Sequence, residues 1–453
     1  MRLRRLAAAV VVLGLALVAS APAGPRGQWT RLPGTVVNFA EPGLARTSDG
    51  VLHVLYVRKN GAKSELIHVA VTSAGKVGAD SVALGGWSAM AHPDLLRMPD
   101  GTLRAFFGGI RSTAAGDDND AMNTATAPAS GARWTLQEGR AAQALYAYAT
   151  TVTGAGLAKD GTPISTWSGT PGLGFHFGVD PADPDGKIPQ SGCCLYNPDI
   201  GVDAASGQAW LGFSSNESAS PGLFVNAIGR TAPQGGRKLA PGSVTGKNFG
   251  QPLNRTPITG RIGAAGVFLV YGQGYPTWKT VAVWRVDSAK PQIVLKADGM
   301  KHANVAPAPD GRLWLMFERS GTIYATRTNK AATKIGPLST LRPPGSKTVY
   351  QLGGEGSTGP LDLIANDGRG FWHQQVQPKL SLTASVRAAA GHRVIVFRVL
   401  DAGDPVGGAT VKAGGKTLKT AANGTGTLRN APAGRVKATA AKAGYAPASL
   451  TVR

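Results

Sequence analysis

The 453-residue chain has little cysteine, few acids and, after its first twenty residues, no long apolar run. Its two cysteines, Cys193 and Cys194, are adjacent. Neighbouring cysteines can close only a small strained ring, which ties no distant segments together, so the fold does not rest on a disulfide framework. Without a second pair nearby they also make a poor structural zinc site. Charged residues are 16% of the chain, against about 25% in an average domain. That scarcity argues against coiled coils and helical bundles. No later stretch approaches the roughly 18 apolar residues of a membrane-spanning helix. No aromatic-interleaved motif for nucleic acid is present either, so neither a membrane span nor a nucleic-acid partner is expected.

Turn formers are abundant instead, with 62 Gly and 30 Pro. Together with 42% hydrophobic residues, they point to many short strands joined by tight turns around a sizeable core. The chain opens with three Arg in its first five residues. A 15-residue apolar run, Leu6 to Ser20, follows, and then small residues at Ala19-Ser20-Ala21 and Ala21-Pro22-Ala23. Residues 1–23 therefore read as a secretory signal peptide, and the expected location is secreted or extracellular, with cell-surface association open.

A repeat organises the next part. Copies begin near residues 41, 92, 151, 197, 261, 302 and 359, as in Glu41-PGLARTSDGVLHVLYV, His92-PDLLRMPDGTLRAFFGG and His302-ANVAPAPDGRLWLMF. Each has a short strand, a turn usually centred on Asp-Gly and a second strand. Asp-Gly between two apolar runs is a strong hairpin signal. The spacing of about 40 to 65 residues suits the four-stranded blade of a β-propeller. Residues 28–377 are thus expected to form a six- or seven-bladed propeller, seven favoured. An N-terminal strand near residues 35–40 would complete the last blade and leave no open sheet edge. Residues 379–453 read as a small β-sandwich, making the chain all-β. This segment carries 12 Lys and Arg and only two acids, Asp401 and Asp404. It holds +10 of the formal +22, whereas the much longer propeller segment holds +9. A basic exported module suits an anionic partner.

In a propeller, residues leading the inner strands converge on one funnel. These are Glu41, His92, Asn197 and His302, followed two residues on by Asp94, Asp199 and Asn304. The ends of the second strands add Arg58, Arg111, Asn216, Tyr275, Glu318, Arg319 and His373. The set contains acid/base, cationic and hydrogen-bonding groups. Glu41, His92 and His302 could also hold a divalent cation, but no spacing rule supports that, and neither metal nor cofactor is expected. An insertion at 169–194 carries Asp180, Asp183, Asp185 and the cysteine pair, which could form a vicinal disulfide. It lacks the spacing and distal Glu of an EF-hand.

The strings PGLARTSDGVLHVLYV and HPDLLRMPDGTLRAFF resemble the opening of the sialidase-like, BNR-repeat propellers. Two departures separate the chain from sialidases. Glu41-Pro42 stands where a substrate-clamping Arg is needed, and the Ser-x-Asp-x-Gly-x-x-Trp box is nowhere intact. The His-led repeats look more like those of BNR-type polysaccharide lyases. That resemblance implies His92 or His302 as base, Tyr148 or Tyr275 as acid and Arg111 or Arg319 as carboxylate clamp; its place at the funnel adds Glu41 to the expected catalytic set. Asn197, Asp199, Arg58, Glu318 and His373 would contact substrate. A glycoside hydrolase would instead pair Glu41 with Glu318 or Asp199. The C-terminal string GDPVGGATVKAGGKTLKTAANGTGTLRN resembles Ig-like and carboxypeptidase-regulatory-like modules. The expected function is recognition of an extracellular or cell-wall glycan, anionic in one version, with cleavage as a further step. The expected state is a monomer, and a non-catalytic surface or adhesion protein is the competing class.

Overall fold

The computed structural model describes residues 27–34, 41–90, 92–111, 121–137, 146–147, 153–170, 174–178, 186–189, 195–216, 221–246, 255–389 and 392–453. The signal-peptide segment, residues 35–40, Tyr148, Asp180, Asp183, Asp185, Cys193 and Cys194 lie outside the described residues.

Among the described residues, seven antiparallel sheets of four or five strands follow one another along the chain up to Val376. Their inner strands are Gly43–Arg46, Asp94–Arg97, Gly154–Leu157, Leu195–Val202, Ile258–Gly260, Met300–Pro307 and Gln351–Glu355. Each inner strand touches the next, and the last touches the first, so the sheets form a closed ring. This is a β-propeller followed by a small β-sandwich. Thr30–Arg31 pairs with Phe371–Val376 and completes the last sheet. The closing strand thus lies upstream of the one expected near residues 35–40.

The Asp-Gly turns work in a specific way. In the first three sheets, Gly50, Gly101 and Gly161 take φ between +82° and +89°, a region open to glycine at no steric cost. The preceding Asp49, Asp100 and Asp160 accept the amide of the residue after that glycine, at 2.9–3.2 Å. The aspartate closes the turn and the glycine reverses it. In the sixth sheet Asp310 also takes positive φ, at 60°.

The second strands are more continuously apolar than alternation requires. Leu52–Asn60 is buried at six consecutive positions. Both of its faces are covered: Leu55 and Val57 pack with Leu103, Ala105 and Phe107 of the second sheet, and Val54 and Tyr56 with Ile364 and Phe371 of the last. Each such fully buried side chain contributes roughly 1.5–3 kcal/mol.

Residues 381–452 form two further four-stranded sheets around a separate core that includes Ile395, Phe397, Val399, Val411 and Ala438. This sandwich is seated on the sixth propeller sheet through ions. Arg312 lies 3.4 Å from Asp401 and 2.6 Å from Asp404, and Arg327 also bonds Asp401. The Lys330 amide donates to Asp404 at 2.8 Å, and Tyr445 Oη lies 3.3 Å from Asp401. Asp401 is only 1% exposed.

Candidate functional site on the propeller axis

Where inner strands meet the axis there is too little room for a hydrophobic core, and polar side chains line a cavity of about 130 Å³. Glu41, Asp94, Asp199, Arg255 and Asn304 form its polar wall. Several of these groups also stitch the ring. Asp94 accepts the amides of Leu95 at 2.8 Å and, from the third sheet, Ala155 at 2.7 Å. Asn304 accepts the Val305 amide and donates to the Leu352 carbonyl of the seventh sheet. Asp199 accepts the Ile200 amide at 2.8 Å.

Arg255 is the central cation. Its Nη2 donates to the Pro93 carbonyl at 2.7 Å, and its Nη1 lies 3.5 Å from Asp94. Its backbone amide donates to Glu41 Oε1 at 3.1 Å, and its Nε is 3.8 Å from Glu41 Oε2. The segment that carries it is fixed by Asn197, whose carbonyl accepts both the amide and the hydroxyl of Thr256, at 3.0 and 2.6 Å. Asn197 holds a left-handed backbone, φ 59°, where the pairing of Leu195–Val202 shifts register between Tyr196 and Asp199. Asparagine tolerates that region better than most residues.

Burial raises the Glu41 carboxyl to about 7, with Arg255 opposing the shift. Burial likewise holds Asp199 well above the ordinary carboxylate range. The neighbouring carboxylates, led by Asp94, hold Arg255 firmly protonated against the cost of burying it. His92 moves the other way, down to about 4, through burial and the nearby Arg255 charge. Its Nδ1 accepts the Glu41 amide at 3.0 Å, which places the proton of the neutral ring on Nε2.

The structure brings Glu41, His92 and Asp199 together, and Asn197 supports them through its backbone. His302 sits two residues before Asn304, cross-strand from Glu318, and is not among the lining residues. The second-strand ends do not join the cavity. Arg58 bonds Glu65 at 2.9 Å and Asp80 at 2.6 Å, within its own sheet. Arg111 stacks over Trp87, and Arg319 over Tyr324. Tyr275 packs edge-on to Trp278. Glu318 accepts the Gly321 amide in its own hairpin. These positions lie on or just beyond the second strands, one strand further from the axis.

His373 lies on the third strand of its sheet, not the second, because the seventh sheet begins at Gln351 rather than near 359. It bonds Asp362 at 2.8 Å; Asp362 and Glu355 also hold Arg46 of the first sheet. That buried group joins the last sheet to the first. A similar offset hid Arg255. The fifth inner strand begins at Ile258, not near 261, so Arg255, three residues before it, does not stand out as a leading residue. Among the described residues, no group of three or more His, Cys, Asp and Glu is arranged to hold a metal ion. No described helix is long and apolar enough to cross a membrane.

No protein-family model matches this sequence, and no curated protein sequence is recognisably similar to it. Solved structures resemble it only at low identity. Virginiamycin B lyase from Staphylococcus aureus is 11% identical, with 76% of this chain and 97% of that chain covered and a TM-score of 0.44. A chain of a mitotic checkpoint complex is 12% identical, with coverage of 82% and 99% and a TM-score of 0.46. A prolyl endopeptidase is 13% identical, with coverage of 80% and 55% and a TM-score of 0.39.

Proposed function

We propose that this is an exported glycan-recognition protein that takes a sugar at its propeller axis. The observation that supports the reading is the cavity wall, in which carboxyl groups from three sheets surround one guanidinium. Two of these carboxyls, Glu41 and Asp199, favour their protonated form more than ordinary side chains do. A protonated carboxyl both donates and accepts, which matches the paired donor and acceptor character of sugar hydroxyls. The charged opening of residues 1–23 supports the exported location.

Titration calorimetry of the full chain against neutral hexoses, hexosamines and uronates tests this reading. At least one class should bind, and Asp199→Asn should weaken it by about tenfold, the effect of losing one good hydrogen bond. Silence toward every class, or binding indifferent to Asp199→Asn, defeats the proposal.

A second reading is hydrolysis. It is favoured by Glu41, whose carboxyl near 7 is suited to a general acid beside Asp94 and Asp199. Reducing-sugar release should then fall above about pH 7 and vanish in Glu41→Gln. Lyase chemistry finds no base in His92, because Nδ1 accepts the Glu41 amide and Nε2 then carries the proton of the neutral ring.

A further inference from the structure

We infer that the outer face of the second sandwich sheet is a docking strip for an acidic polysaccharide, separate from the axial cavity. The sheet runs Lys416–Lys419, Thr410–Ala413, Val436–Ala441, Ala448–Val452 in spatial order. Val411, Ala413, Val436, Ala438 and Ala440 point into the core, which leaves Lys412, Lys419 and Lys437 on the opposite, exposed face.

Their register is informative. Lys419 faces Thr410, and Lys412, two residues along from Thr410, faces Thr439. Lys437 is two residues beyond Thr439. Each step from lysine to lysine is therefore two residues along and one strand across. With a rise of about 3.4 Å and a strand separation of about 4.8 Å, the steps are equal and about 8 Å long. The three lysines lie on one diagonal. The same diagonal leads toward the exposed Arg435 and Arg453 at the far end of the sheet.

Nothing in the module neutralises this line. Its only acids, Asp401 and Asp404, are taken up by Arg312 and Arg327 of the propeller. Among the described residues, no ion pair involves a lysine or arginine of residues 379–453. The spacing is about one Debye length at physiological salt, so each ammonium still feels its neighbour, and a linear polyanion relieves that repulsion.

The rest of the face selects among polyanions. Thr417, Thr439 and Thr451 lie between the lysines and offer hydroxyls to a hydroxyl-rich chain. The sheet's residues include no aromatic on which a base could stack. Its outer face carries no large exposed apolar side chain to enter a lipid surface.

The experiment uses the full chain and polygalacturonate as probe, with dextran as the neutral polymer. Polygalacturonate should bind with an affinity that falls as salt rises, and dextran should not bind at this face. The triple variant Lys412→Gln, Lys419→Gln, Lys437→Gln should lose about tenfold or more in affinity and part of the salt dependence. A propeller control, Lys63→Gln, Lys296→Gln, Lys347→Gln, removes the same charge from exposed sites and should change affinity by less than about twofold. Circular dichroism confirms that both variants fold; should the triple variant misfold, Lys412→Gln alone, at the centre of the diagonal, should still lose more than any single control lysine. Equal losses in both triples reduce the effect to net charge and overturn the strip. Tighter binding of single-stranded DNA or anionic vesicles through the same lysines overturns the assigned partner. The triple lysine variant should bind the monosaccharides taken at the axial cavity as the unaltered chain does, so failure here and failure of the axial reading are distinguishable.

Discussion

Around the propeller axis, Glu41, Asp94 and Asp199 turn toward one another and share the guanidinium of Arg255. In the sandwich the arrangement is reversed. Both acids turn inward to the joint with the propeller, and the cations are left facing solvent. The first pattern makes a small pocket in which burial raises Glu41 and Asp199. The second makes an extended, exposed surface. Net charge alone would not separate them, since the two parts carry nearly the same excess. What differs is whether opposite charges meet within the part or across its boundary.

Removing Arg255 tests the inward pattern most severely. Arg255→Met would leave carboxyls from three sheets without their cation. It should cost about 3–5 kcal/mol in urea unfolding at pH 8. The loss should shrink toward pH 5, as the carboxyls take up protons. A loss that does not change with pH would mean the guanidinium acts by packing alone.

Glu41→Gln sharpens the same comparison. Folded Glu41 holds its proton up to about pH 7, whereas the unfolded chain releases it near its ordinary 4.5. Between those values the folded state binds more protons, so this group's contribution to stability falls as pH rises and is level outside that window. Relative to wild type, the variant should gain stability from pH 5 to pH 8, by up to about 3 kcal/mol. His92, lowered to about 4, contributes the opposite slope: its share is lost as pH falls from about 6.5 toward 4. The difference between variant and wild type removes that background.

Asp401→Asn probes the boundary. It keeps the shape of the group that Arg312 and Arg327 share but removes its charge. The joint should weaken by about 2 kcal/mol. In calorimetry, the sandwich and propeller should then unfold in more clearly separated transitions. A single unchanged transition would mean that the two parts are held by other contacts.

The blades were legible because each hairpin needs a local device that sequence displays, an Asp whose carboxylate closes the turn followed by a Gly that reverses it. The leading residues were legible where the copies were in frame, which placed Glu41, Asp94 and Asp199 at one cavity, with His92 bonded to the Glu41 amide. Arg255 was not, because its copy has no Asp-Gly to fix the frame and its strand begins three residues before the apparent start. The second-strand ends misled for a different reason. Arg58, Arg111 and Arg319 reach the correct rim, but their partners Glu65, Trp87 and Tyr324 lie within the sheets, and such partners are set by cross-strand register rather than by chain order. The same register put three lysines on a diagonal that no linear reading of residues 412, 419 and 437 reveals.

Thr30–Arg31 closes the ring by hydrogen-bonding a strand more than three hundred residues away. During synthesis the Thr30–Arg31 strand must therefore wait for the last sheet, and every shorter product leaves that strand unpaired. The ring locks only through a contact of very large sequence separation, the kind that forms late because loop closure must come before it stabilises anything.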